Sequence, residues 1–98
     1  MYISNSIIYN LKVMTHWKFA KAIDENEEFK INQMNIWNFQ WHCLEKKVEV
    51  IGPYEGQIYY FKHYEITDGT RKVEFVAGEF LNSKVGIYVK DDLADQKL

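Results

Sequence analysis

The residues of this 98-residue chain with the widest chemical range are His16, His42, His63 and the lone Cys43. His42 and Cys43 are adjacent, and both residue types ligate zinc. Neighbouring strand residues point to opposite faces, so the two reach one ion only across a bulge. No second cysteine and no paired histidine spacing completes a site. The pair reads as a surface histidine beside a buried thiol, with no metal and no cofactor.

His63 makes a better case. A hairpin turn at Asp68-Gly69 sets it opposite Glu74, an arrangement in which a carboxylate can orient a general base. A cross-strand surface pair has the same spacing, and nothing supplies a nucleophile. Ser83 and Thr70 fall in turns, Ser4 and Ser6 in an unassigned segment. The five glycines, Gly52, Gly56, Gly69, Gly78 and Gly86, are scattered and build no phosphate loop. The chain therefore reads as non-catalytic.

The cluster Tyr54, Tyr59, Tyr60, Phe61 and Tyr64, with Lys62 and Lys46-Lys47 nearby, supports binding instead. Aromatic residues on a strand flanked by lysines stack single-stranded bases in small barrels. The same spacing suits a core with Tyr60 and Tyr64 inside and Tyr59 and Phe61 covering the second face. A net charge of -2 and a single arginine, Arg71, count against nucleic acid. The expectation is a protein-interaction or assembly module that binds a partner or itself through an aromatic surface or strand edge. Tyr54, Tyr59 and Phe61 are its contact residues. A single-stranded nucleic-acid-binding barrel is the alternative.

Compartment follows from what is missing in the sequence. A solitary cysteine fits a reducing environment. Met1 to Asn10 shows no basic region followed by an apolar run, and no stretch approaches the roughly 18–20 apolar residues of a membrane span. The expected location is cytoplasmic, away from membranes.

The elements that position these residues are mainly strands. Aromatics make up 16% of the chain and alanine occurs only at 20, 22, 77 and 94, a bias toward β structure. Trp37, Phe39, Trp41 and Cys43 alternate with Asn38, Gln40 and His42, a period of two that predicts a strand with its aromatics buried. Between Cys43 and Val48 the inward phase changes, so a bulge or a turn near Glu45-Lys46-Lys47 absorbs one residue.

Asp68-Gly69 predicts a two-residue hairpin turn, with Thr67 facing Thr70, Glu65 facing Lys72 and Tyr64 facing Val73. Asn82-Ser83 predicts a second, setting Phe80 against Val85 and Gly78 against Ile87. Strands over 57–66, 70–81 and 84–90 then form an antiparallel meander. Gly78 marks a bulge or bend. Residues 7–14 alternate as a strand. Residues 16–28 fit a helix capped by Thr15; alternatively Asp24 and Glu27 form a capping box for a later helix, or 24–28 is an acidic turn between strands. The fold class is mainly β: five to six antiparallel strands in a small barrel or sandwich, with at most one helix in the first 45 residues. Residues 1–90 make one domain and 91–98 a polar tail.

Overall fold

The computed structural model describes residues 17–90, so the expectations for residues 7–14, His16 and the 91–98 tail lie outside the described residues. The fold is mainly β. Its strands are β1 (Trp17–Ile23), β2 (Lys30–Ile31), β3 (Met34–Asn35), β4 (His42–Ile51), β5 (Ile58–Thr67), β6 (Lys72–Glu79) and β7 (Val85–Lys90). Five of them form one antiparallel sheet in the order β1-β7-β6-β5-β4, and β2-β3 is a separate small hairpin. No helix among the described residues is long and apolar enough to cross a membrane.

The sheet is open but strongly curled. Trp17 of β1 lies 4.9 Å, ring to ring, from His63 of β5, although two strands separate them. Tyr88 of β7 donates its hydroxyl to the Ile51 carbonyl of β4 at 2.8 Å, again across two strands. Both contacts require the sheet to fold toward one face, the inner one. Burial, then the neighbouring Tyr59, pushes the Tyr88 phenol up to about 12.

The inner face buries Val50, Phe61, Val76, Phe80 and Tyr88. Gly78 pairs with Gly86 across β6 and β7, and neither has a side chain to fill the space. The Phe61 ring lies in that space: a Cβ on Gly78 would collide with it, and one on Gly86 would come within 3.2 Å. Gly78 thus serves as a ring seat rather than a bulge.

The outer face buries Ile66, Val73, Phe75, Ala77, Ile87 and Val89 under the segment that connects β1 to β4. That segment contributes Ile31, Met34 and Ile36, with Trp37, Phe39 and Trp41 packed half-buried beside them. The strand expected over 37–43 begins only at His42, and Ile36–Asn38 forms a short 3-10 turn. Asn35 causes the difference, because its side chain accepts from the backbone of Phe29 and Trp37 and turns the chain there. The three aromatics still share one core. Cys43, expected buried, is exposed at the start of β4, paired with Tyr64.

The acidic segment is a turn. Asp24 N–H donates to the Glu27 carboxylate at 2.8 Å and Glu27 N–H returns to the Asp24 carbonyl at 3.0 Å. This is half a capping box with no helix behind it, since Asn26 enters the left-handed region at φ 69°. Between Cys43 and Val48 the register of β4 slips twice while the strand continues, so there are two bulges where one extra residue was expected. Cys43 sits beside Tyr64 on the outer face, while Val48 sits beside Phe61 on the inner one.

Both meander hairpins form with different registers from those expected. Thr67 faces Lys72 and Tyr64 faces Phe75, a shift of two residues. The Asp68 carboxylate is the cause: it accepts Thr70 N–H at 2.9 Å and Arg71 N–H at 2.8 Å, building a four-residue loop. In the second hairpin Gly78 faces Gly86 and Glu79 faces Val85, a shift of one. There Asn82 and Ser83 are both left-handed and the loop closes from Phe80 N–H to the Lys84 carbonyl at 2.8 Å.

Those backbone donors, followed by the Arg71 and Thr70 side chains, hold the Asp68 carboxyl well below its ordinary 3.8. A depressed carboxylate contributes stability that is present above its unfolded value and lost as pH falls toward its folded one. The urea midpoint should therefore decline as pH drops below 3.8. Asp68→Ala should lower the neutral-pH midpoint and flatten that acid limb. An unchanged acid limb in the variant would assign the decline to other carboxylates.

Candidate functional site

Two places gather polar and aromatic side chains. The first is the open end of the inner face. His63 Nδ1 lies 3.2 Å from Glu45 Oε1 on β4, and Nε2 lies 3.0 Å from Glu74 Oε1 on β6. Lys90 of β7 reaches the same Glu74 oxygen at 3.2 Å, and the Trp17 ring covers the imidazole. Burial raises the Glu74 carboxyl, but hydrogen bonds from Lys90 and His63 outweigh it, and the group sits below its ordinary value. The expected His63–Glu74 contact exists, as a diagonal rather than a directly opposed pair, because a register shift of two keeps every residue on its face. Each ring nitrogen thus lies within hydrogen-bond distance of a carboxylate oxygen from a neighbouring strand. The cluster ties β4 and β5 to β6 and β7. Among the described residues, no three His, Cys, Asp or Glu side chains are grouped to hold a metal.

The second place is the part of the outer face that the covering segment leaves open. Tyr60 is 57% exposed, although the sequence reading put it in the core. Its side of β5 is correct, but the covering segment reaches only Tyr64 and Ile66. Beside Tyr60, Ile58 and Ile51 face each other in register and are 45% and 56% exposed. The Lys47 ammonium sits 4.8 Å above the Tyr60 ring.

From Tyr60 a groove runs along β5 and β6. One portion, about 340 Å³, is lined by Tyr60, Lys62 and Tyr64. The next, about 350 Å³, is lined by Trp37, Trp41, Glu25 and Lys84. Tyr64, Ala77, Gly78 and Glu79 line both, which makes the groove continuous. Trp41 stands 4.9 Å from Trp37 and 5.0 Å from Tyr64, so aromatic rings form one wall. Its indole N–H donates to the Ile36 carbonyl at 2.9 Å, which fixes its orientation. The indole N–H of Trp37 is buried without a hydrogen-bond partner. Burial raises the Tyr64 phenol, and Cys43 adds to the effect.

The structure separates the three residues expected to meet a partner. Phe61 is 5% exposed and seated on the inner face, so its ring is not available at the surface. Tyr59 is half-buried against Phe61 and Phe80, at 5.5 and 5.2 Å. Tyr54 is 55% exposed in the loop after β4 and stacks on Phe80 at 6.4 Å. The missed surface residues are Tyr60, Ile58 and Ile51. Their only sequence signal was apolar character on one face of a long hairpin whose far end outruns the segment that covers it. Comparison with known proteins finds no matching family model, no similar curated protein and no similar solved structure.

Proposed function

We propose that the chain is a non-catalytic protein-interaction module that receives a partner on the open part of its outer face. The observation that carries this reading is the contiguous exposure of Tyr60, Ile58 and Ile51 at the mouth of an aromatic-walled groove. Interface cores are enriched in such residues, and tyrosine is a frequent hot spot. The partner is another protein or a second copy of this chain.

A Tyr60→Ser, Ile58→Ser double variant should keep its fold, since both side chains are already largely in water. It should weaken association by about 2 kcal/mol, roughly thirtyfold. Light scattering reads self-association, and capture from the host followed by titration of the captured protein reads a partner. Unchanged association in a folded double variant refutes the proposal.

One observation favours a second reading, a single-stranded nucleic-acid platform: Lys47 over the Tyr60 ring, with Lys62 on the same face. Phosphate contacts make affinity fall steeply with salt. Oligothymidine binding with such a slope, lost with Tyr60, would replace the protein reading.

A further inference from the structure

We infer that the Trp37–Trp41 end of the groove receives an arginine side chain of the partner, an inference that rests on the protein-interaction reading above. The argument begins with counter-ions. Four acids crowd the turn after β1, and three are matched: Asp24 holds Lys84 at 2.8 Å, Glu27 holds Lys21 at 3.4 Å and Glu28 holds Lys30 at 3.3 Å. Glu25, the fourth, has no ion-pair partner among the described residues, and it lines the groove. Glu79, on the β6 side of the same groove, is also exposed and unpaired among the described residues.

Lys84 is the one ammonium on this portion's lining, and it is already engaged. Its hydrogen bond to Asp24 raises it above its ordinary value. What the groove offers a ligand at this end is therefore two free carboxylates beside the rings of Trp37, Trp41 and Tyr64. Carboxylates attract a cation and aromatic faces add to that attraction, tryptophan most strongly. A planar guanidinium stacks on a ring while its edge hydrogen-bonds a carboxylate, which a compact ammonium cannot do. A volume of about 350 Å³ holds one such side chain with part of its backbone.

The test uses the acetylated, amidated pentapeptide Gly-Arg-Gly-Arg-Gly, with Gly-Glu-Gly-Glu-Gly and Gly-Lys-Gly-Lys-Gly as comparators. Tryptophan fluorescence and NMR shifts of the Trp37 and Trp41 indoles report occupancy. The arginine peptide should bind weakly and shift both indoles, the lysine peptide should bind less tightly, and the glutamate peptide should not bind. Glu25→Gln with Glu79→Gln should weaken the arginine peptide by about tenfold, whereas Glu28→Gln should not. Absence of arginine-peptide binding overturns the inference. So does equal binding by the glutamate peptide or by the double variant, or an equal loss in Glu28→Gln, which would indicate diffuse attraction to an acidic turn. None of these outcomes touches the Tyr60 and Ile58 test, so the two readings fail separately.

Discussion

Replacing Gly78 with alanine is expected to destabilise the chain by about 1–3 kcal/mol, although alanine is ordinarily the better strand residue. The added methyl would occupy space now held by the Phe61 ring, which rests over the Gly78–Gly86 pair. That ring also meets Tyr88 edge-on at 5.8 Å and Tyr59 at 5.5 Å, so it has little freedom to withdraw. Phe61→Ala alone should cost about 3–5 kcal/mol, a large part of the roughly 5–15 kcal/mol a small domain commands. The two changes share one space and should not add. Phe61→Leu in the Gly78→Ala background should recover part of the loss, with a coupling of about 0.5–3 kcal/mol in urea melts. Strict additivity would mean that the ring and the glycine are independent.

Trp41→Ala is expected to be similarly costly, about 3–5 kcal/mol, for a different reason. Trp41 joins the covering segment to the sheet: its ring touches Trp37, Tyr64 and Phe75, and its indole donates to Ile36. Without it, residues 29–41 lose their ring contacts with Tyr64 and Phe75, and the outer face should become more exposed there. Trp41→Phe should retain much of the packing and lose mainly the hydrogen bond, about 1 kcal/mol. Amide exchange shows whether the segment detaches before the sheet does, in which case residues 31–36 exchange faster than β6. A Trp41→Ala protein as stable as the parent would show that the segment is held elsewhere, for example where Arg71 Nη1 reaches the Asn32 carbonyl at 3.1 Å.

The strands of the meander were legible because their side chains sort by face, and a residue's face survives errors of register that are even. Thus His63 and Glu74 meet although the predicted hairpin was displaced by two. The displacement itself was invisible to face patterning. It comes from one carboxylate, Asp68, capturing two backbone donors beyond the turn, which a dipeptide rule does not weigh. Residues 37–41 misled for a related reason. A segment lying flat on a sheet also points alternate side chains down and up, so its period of two mimics a strand. The turn is made by the side-chain cap of Asn35, which nothing in the sequence sets apart from Asn32 and Asn38 on either side. The candidate groove was the least legible part. Its lining comes from the turn after β1, the covering segment, three strands of the sheet and the loop between β6 and β7, and the exposure of Tyr60 depends on where that segment stops. Phe61 and Tyr60 are neighbours with opposite environments: the Gly78–Gly86 seat buries the first, and the end of the covering segment leaves the second in water.

The hydroxyl that Tyr88 sends to Ile51 has a consequence for behaviour at high concentration. β4 is the outermost strand of the described sheet on its side, and such strands template the addition of further chains into fibrils. Gly52 N–H bonds to the Gln57 carbonyl, which makes the next pair, Ile51 with Ile58, one whose Ile51 carbonyl points away from β5. The tyrosine has already claimed that acceptor. Further along, the two register slips and the charges of Glu45, Lys46 and Lys47 break up the remaining row of free backbone groups. The most apolar end of β4 is thus the end that the fold stoppers from inside, which guards this small sheet against growing into an aggregate while Tyr60, Ile58 and Ile51 stay exposed on its outer face.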